Sequence, residues 1–581
     1  MTAHTRTPDQ AWRAARWTDA HREFRAARDL LLRHRRDPAV AAARFRWPRP
    51  RRFNWALEWF DVVAEGNDAP ALELADRDGG TRVLSYRELS RRSDAVAVWL
   101  AARGVARGDR LMVVLDTRAE LWEVLLAALK LGAVVVPSHP DLTPDQAADR
   151  VRRGRLVHVV CRGGATAAFA GVPVPGARIV VPEGAGPVPA GWTDYRDSAA
   201  VTARFVPDGP TPADDVAYCY FTSGTTSAPK LVAHTHLSYP AGHLSSLYWN
   251  GLVPGDRHVN MSSPGWAKHS WSSLFVPWNA EATIVALPSG RLAPDRLAGL
   301  LERLGATSFC APPSTWQALV PHLGSAAPAL REATSAGEPL PGPVVAAVRA
   351  AWGVDVRDGY GQTETTALIG TTPGVTPRAG LLGLPLPGYR VTVRDPDSGA
   401  LTDGPGELCV DLDGPERPVG VMAGYPDDPE RTERALGRGW YPTGDLGVRD
   451  SDGWIRVLGR RDDVFKSAGH RVSPYEAEAV LRGHPAVADV AVVPVPDAVA
   501  GLVPLAVVVP APGRTPDAAL AAELLRHAGR ALSEVGRPEL LRFAADLPRT
   551  TSGKVRRSLL REQPADGAGV FGRREGAGAT R

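Results

Sequence analysis

The feature that most constrains this chain is the alternation of short apolar runs with segments of helical period. Ser85 and Glu88 form a capping-box pair that opens a helix running to about Arg103. The run 111–115 reads as a strand, 120–131 as an amphipathic helix and 133–136 as another strand. The rhythm returns with a strand at 282–287, a helix at 292–304 and a strand at 307–311. Strands separated by helices imply parallel sheets with helices layered on their faces, so the fold class is α/β. One core stops growing near ~250–300 residues, so a chain of 581 residues needs a second unit. A charged turn at 459–463 precedes a smaller α/β unit. A Pro/Gly-rich stretch at 172–191 reads as a surface loop.

Composition narrows the class further. Hydrophobic residues make up 44% and charged residues 23%, which excludes a mainly disordered, collagen-like or coiled-coil chain. No run reaches the ~18 apolar residues of a membrane span; the longest, 121–136, is broken by Glu123 and Lys130. No secretory leader is legible at the N-terminus. Cys161, Cys219, Cys310 and Cys409 are widely spaced, which argues against a zinc or disulfide framework and for a reducing cytoplasm. Residues 1–52 carry a net charge of +9, and the rest of the chain −5. Such a basic arm could meet nucleic acid or an anionic membrane. Trp12, Phe24, Leu30, Leu31, Leu32 and Phe45 interleave with its arginines, however, and favour a helix packed on the body. No nucleic-acid partner and no integral membrane contact are expected.

Only five of the 68 basic residues are lysine: Lys130, Lys230, Lys268, Lys466 and Lys554. In so arginine-rich a chain, lysine should persist where a compact ammonium on a flexible stem is required. Lys130, on a helix, reads as a solvated charge with no task.

Four segments could carry chemistry. In YFTSGTTSAPK (220–230) an apolar strand empties into small and hydroxylated residues that end in a lysine. Small side chains let backbone N–H groups approach phosphate oxygens, although a flexible polar loop has the same composition. It is not a Walker A loop, since Gly-Lys-Ser/Thr is missing. DGYGQTETT (358–366) offers Tyr360 as an aromatic face and Glu364 as a ligand for Mg²⁺, or else is a polar turn. In the segment 441–474, Asp445 could accept both hydroxyls of a ribose and Arg460 could add a donor; charged surface turns are the other reading. LPRTTSGKVRR (547–557) is a second Ser/Thr/Gly loop with a lysine, or a basic solvated end.

Taken together and in this order, the four segments resemble the adenylate-forming superfamily of acyl-CoA synthetases, luciferases and peptide-synthetase adenylation domains. SAGEPL (335–340) is similar to that family's adenine-contacting strand. FNWALEWFD (53–61) and SPGWAKHSWSS (263–273) resemble the acetyl-CoA-synthetase-like branch. The resemblance implies a large multi-layer N-terminal domain with parallel and mixed sheets and a small mobile α+β C-terminal domain. The expected division is an Arg-rich extension 1–52, an AMP- and acyl-binding domain 53–460, a domain 461–561 with the catalytic lysine, and a disordered tail 562–581.

It also implies roles. Thr222, Ser223, Gly224, Thr225, Thr226 and Lys230 would wrap the outer phosphates of ATP. Ser227 stands where the family usually has glycine. Gly337, Glu338 and Pro339 would line the adenine with Asp358 beside them and Tyr360 stacked on it. Thr363 would touch the α-phosphate and Glu364 would hold Mg²⁺. Asp445 and Arg460 would bind the ribose, and Arg471 would approach phosphate. Lys554 would serve adenylation, Asp462 would be the hinge and Gly469 would line the pantetheine tunnel for CoA. Gly361 replaces a pocket-closing Trp of acetate-specific relatives, which leaves room for a longer acid. Trp266, Lys268 and Trp271 would form part of the acyl wall. Lys268 and His269 stand in a segment without an acid, which disfavours an amino-acid substrate. The expected reaction joins a short or medium aliphatic acid to CoA at the expense of ATP. The alternatives are loading of an acyl or aryl acid onto a separate carrier protein, since the chain ends 27 residues after Lys554, and a silent nucleotide-binding regulator.

Overall fold

The computed structural model describes residues 18–572 apart from 77–79, 185, 223–228, 291, 325–328, 415, 468–469, 498–499, 533, 535, 550–554 and 564–568. The helix Tyr86–Ala101 starts where the sequence places it. Ser85 Oγ accepts from the Glu88 N–H, and the Glu88 carboxylate accepts from the Ser85 N–H. Its buried face packs on the helix Ala119–Leu131, which stops at Gly132 in the left-handed region (φ 73°).

Both charges that interrupt the apolar run of this second helix are buried and paired. The Glu123 carboxylate accepts from the Tyr195 hydroxyl (2.8 Å) and from Arg92 (3.1 Å). The reading of Lys130 as a solvated charge is corrected: it is 2% exposed. Its ammonium lies 2.9 Å from Asp61 and 2.7 Å from Asp94, and donates to the Ser90 carbonyl at 3.1 Å. These partners come from other helices, so the pattern of the lysine's own helix could not reveal them.

Two large sheets form the N-terminal domain. The seven-stranded sheet runs Thr193–Asp194, Arg178–Val181, His158–Arg162, Arg110–Val114, Val134–Pro137, Val216–Thr222, Lys230–Thr235, with only the last strand antiparallel. Arg178–Val181 corrects the reading of 172–191 as a loop. Three apolar residues between prolines and glycines suffice for a buried parallel strand. The nine-stranded sheet has a parallel centre, in spatial order Val356–Gln362, Glu332–Ala336, Ser308–Ala311, Arg257–Asn260, Thr283–Ala286, Pro70–Ala75. Helices on both sheets bury the core, and no described helix is long and apolar enough to cross a membrane.

A four-stranded antiparallel sheet ends with Trp440–Arg449 and Ile455–Arg460. After the turn Arg461–Asp463 the chain forms a ribbon, Phe465–Ser467 with His470–Val472, and a separate small core on the sheet 487–497, 501–510, 540–543, 570–572. The tail read as disordered supplies the last of these strands: Val570–Gly572 pairs antiparallel with Leu540–Phe543. Its Val-Phe pair was hidden by the Gly/Ala-rich surroundings.

The helix Asp19–Arg33 of the basic extension packs on the body, with Phe24 and Leu31 buried. Arg28 is buried, donates to the Asn279 carbonyl (2.9 Å) and pairs with Glu281 (2.6 Å). Arg35 reaches Glu332 at 3.4 Å. These arginines serve as internal clamps.

Candidate active site

The site lies beyond the carboxyl ends of the central parallel strands, where open α/β sheets leave a crevice. Strand periodicity puts Tyr360 and Gln362 on one face of Val356–Gln362, toward the strand Trp440–Arg449. There Asp445 is 8% exposed. Its Oδ2 accepts from the Tyr360 hydroxyl (2.5 Å), Gln362 Nε2 (2.7 Å) and Arg460 Nη1 (3.2 Å). Among the described residues Oδ1 receives no donor, so one carboxylate oxygen is fixed by the protein and the other stays available to a diol. The Tyr360 hydroxyl is held far above its usual range by burial and then by the Asp445 charge, so it donates. Arg460 and Gln362 both also donate to the Thr443 carbonyl (3.2 and 2.7 Å), and the Tyr441 hydroxyl donates to Gln362 Oε1 (2.8 Å). Sequence reading passed over Gln362 and Tyr441. The signal for Gln362 was its spacing of two from Tyr360.

A second group surrounds Tyr425. The segment that carries it is tied to its neighbours by Met422 N–H to Glu364 O (2.7 Å) and Ala423 N–H to Ala233 O (2.8 Å). The Tyr425 hydroxyl donates to Glu364 Oε1 (3.3 Å), and Lys230 Nζ stands 5.9 Å from the ring centre. Lys230 is opposite Thr222 in the strand pair that flanks 223–228. Thr363 offers its carbonyl to His234 Nε2 (2.7 Å). A carbonyl only accepts, so Nε2 carries the proton and Nδ1 accepts from Ser238 Oγ (3.2 Å). Burial lowers this imidazole to about 4, consistent with a neutral ring. Among the described residues no three His, Cys, Asp or Glu side chains cluster as a metal site. A single carboxylate, Glu364, with Oε2 lacking a described donor, fits Mg²⁺ that draws its other ligands from substrate phosphates and water.

A third group surrounds the bend at 337–339. Gly337 follows the strand Glu332–Ala336 with φ 113°, a conformation that favours glycine, and Glu338 and Pro339 continue the turn. Asp358 Oδ2 accepts from the Leu340 N–H (3.3 Å) and Oδ1 from the Gly359 N–H (3.0 Å). Burial raises this carboxyl to about 7, against the pull of those bonds and of Lys268. Lys268, lowered by burial, points its ammonium at the Ala336 carbonyl (3.5 Å). Trp266 precedes the short helix Ala267–Ser270, and Trp271 lies against Trp249 (centroids 5.9 Å apart). A Cβ at Gly359 would lie 2.3 Å from the Trp249 ring, so glycine there lets the indole sit under the strand. A Cβ at Gly361 would lie 2.0 Å from the Thr366 carbonyl oxygen. Strand pairing therefore demands glycine at 361 in its own right, apart from any gain in pocket length.

From the C-terminal domain, Arg549 Nη1 approaches Glu338 Oε1 at 3.6 Å and its backbone pairs with Val555. Both ends of the segment containing Lys554 thus lie on the Glu338 side of the site. Asp462 sits in the turn between the domains, 3.8 Å from Arg460 Nη2. Ser223, Gly224, Thr225, Thr226, Ser227, Gly469 and Lys554 lie outside the described residues, as does the side chain of Arg471.

Residues 59–426 match the AMP-binding enzyme family and residues 476–554 its C-terminal domain. The chain is 36% identical over 530 residues to 4-hydroxybutyrate–CoA ligase 1 of Metallosphaera sedula, covering 88% of this chain and 91% of that one. It is 31% identical to the mitochondrial acyl-coenzyme A synthetase ACSM3 of Mus musculus, over 88% and 91% of the two chains. The solved anthranilate CoA ligase AuaEII, in complex with anthranoyl-AMP, superposes with a TM-score of 0.78 at 25% identity, covering 88% of this chain and 97% of that one. The chain belongs to the AMP-binding enzyme family and is an adenylate-forming enzyme of the acyl-CoA synthetase type.

Proposed function

We propose that the protein joins a short- or medium-chain aliphatic acid to CoA, with ATP cleaved to AMP and pyrophosphate. The observation that carries the reading is the Asp445 carboxylate, held through Oδ2 by Tyr360, Gln362 and Arg460 with Oδ1 open beside an aromatic face. Such a donor set with one open oxygen suits the hydroxyls of a nucleoside. Relatives named as CoA ligases support CoA as the acceptor. A segment with Lys268 and His269 and no acid disfavours an α-amino group on the substrate. Four buried, unbridged cysteines fit a reducing cytoplasm.

In the first half-reaction a carboxylate oxygen attacks the α-phosphorus and pyrophosphate leaves. Positioning and charge stabilisation supply the catalysis, as in phosphoryl transfer generally. Asp445 and Arg460 fix the ribose; Gly337 and Pro339, with Tyr360 stacked, fix the adenine. Thr363 contacts the α-phosphate. Lys230 neutralises the departing phosphates and Lys554 draws the two anions together. Glu364 would hold Mg²⁺, which would add charge neutralisation at the phosphates. In the second half-reaction a thiol displaces AMP from the acyl-adenylate. Rotation about Asp462 withdraws Lys554 and brings Gly469 to the pantetheine path, with Arg471 near phosphate, a step of the kind that can limit turnover.

Pyrophosphate exchange into ATP over a panel of linear, branched, hydroxylated, aryl and amino acids tests the reading. Exchange is expected with short and medium aliphatic acids. Exchange with amino acids alone, or with no acid despite ATP binding, would overturn it.

A further inference from the structure

Strand period places Tyr441, Thr443 and Asp445 on one buried face of the strand Trp440–Arg449. Tyr441 is 4% exposed, and burial first, then the Glu364 charge, holds its hydroxyl far above the usual range, so it keeps its proton. It donates to Gln362 Oε1 at 2.8 Å. The other end of the same amide is fixed from the opposite side. Gln362 Nε2 lies 2.7 Å from the Thr443 carbonyl and 2.7 Å from Asp445 Oδ2. A carbonyl and a carboxylate only accept, so the nitrogen must face them, and Oε1 is left to Tyr441. The Thr443 carbonyl belongs to a bend with its own supports. The Thr443 hydroxyl donates to the Leu408 carbonyl (2.8 Å) and accepts from the Asp445 N–H (3.1 Å). Gly444 in that bend has φ 74°, and a Cβ there would stand 2.8 Å from Arg460 Nη2. Both ends of the Gln362 amide are thus committed within the protein.

We propose that Gln362, set by Tyr441, is the positioning residue that makes Asp445 select a ribonucleotide over a deoxyribonucleotide, by engaging Oδ2 and turning Oδ1 to the sugar hydroxyls. The inference rests on the reading of Asp445 as the ribose ligand. A carboxylate free to rotate loses that freedom when a sugar binds; one locked beforehand has already lost it. A nucleotide without the hydroxyls leaves a nearly enclosed anionic oxygen without a partner. That penalty, and not a steric clash, is the source of the selection. Glutamine suits the place because one amide combines an acceptor for Tyr441 with two protons for Thr443 and Asp445. Leucine fills the same space and leaves both acceptors short of a donor.

Isothermal titration calorimetry of the full chain with AMP and with 2′,3′-dideoxy-AMP, without Mg²⁺, reads the sugar contact alone. The wild type is expected to bind AMP about tenfold or more tightly than the dideoxy analogue, the effect of hydrogen bonds to a charged group. Gln362→Leu is expected to weaken AMP about tenfold by the same measure, and to leave the dideoxy analogue within about twofold. Tyr441→Phe removes one hydroxyl and keeps the ring; it should shift the same ratio by about threefold, and serves if Gln362→Leu fails to fold. On an Asp445→Ala background Gln362→Leu should cost AMP nothing further, since its route to the sugar is gone. An equal loss for the two nucleotides would make Gln362 merely structural and overturn the inference. Unchanged AMP binding, or a full further loss on the Asp445→Ala background, would overturn it too. A wild type that binds both nucleotides equally would instead overturn the ribose reading of Asp445, and this inference with it.

Discussion

Lys130→Ala lowers the thermal midpoint of the large domain by roughly 3–5 °C, the equivalent of about 3–5 kcal/mol for breaking a buried ion pair from one side, spread over the unfolding entropy of a domain this large. The substitution leaves the Asp61 and Asp94 carboxylates, both almost fully enclosed, without their shared cation. Lys130→Arg is also destabilising, by less. A guanidinium is larger and planar, and the ammonium lies within 2.9 Å of both carboxylates while donating to the Ser90 carbonyl. Neutralising all three charges together, with Lys130→Met, Asp61→Asn and Asp94→Asn, restores most of the stability, because the cost lies in the uncompensated charge. Thermal denaturation followed by circular dichroism reads each variant. A Lys130→Ala protein with an unchanged midpoint would contradict the account of the triad.

Lys554→Ala cuts pyrophosphate exchange about a hundredfold or more, the usual effect of deleting one group that stabilises developing charge. The same variant converts supplied acyl-adenylate and CoA to thioester at close to the wild-type rate, because no phosphate charge has to be neutralised there. Rapid-quench measurement of the two half-reactions separates these outcomes. Parallel loss of both would remove Lys554 from the adenylation step. Among the described neighbours, Arg549 meets Glu338 and its backbone pairs with Val555, so both flanks of 550–554 lie on the Glu338 side. On the far side of that segment Arg557 is anchored to Glu478 (2.7 Å) and to Asp463 (3.3 Å), next to the proposed hinge at Asp462.

What the sequence made legible was local. The Ser85–Glu88 pair marks a helix start because both hydrogen bonds lie within one turn. The alternation around 110–137 marks parallel strands because each element shows its own period. Elements set by distant partners stayed hidden. Arg178–Val181 is a strand because His158–Arg162 lies beside it, and Val570–Gly572 because Leu540–Phe543 does. Lys130 looked like a surface charge because Asp61 and Asp94 belong to other helices. The site was legible as four separate motifs, and each of them alone had an ordinary surface reading. Their convergence is visible only in space: Asp445 from one motif accepts from Tyr360 and Gln362 of another. Lysine scarcity proved informative for Lys130, which is buried between acids, and for Lys268, aimed at the Ala336 carbonyl. Lys466 is exposed on the ribbon and gains nothing from the argument.

The central claim is that the acid is activated by attack of its carboxylate oxygen on the α-phosphorus of ATP. Incubating the enzyme with ATP, CoA and a carboxylic acid labelled with ¹⁸O in both oxygens tests it directly, with mass spectrometry of the phosphorus products. The account predicts one ¹⁸O in each AMP formed and none in pyrophosphate. Label in inorganic phosphate, with ADP as the nucleotide product, would mean attack at the terminal phosphorus and would contradict it.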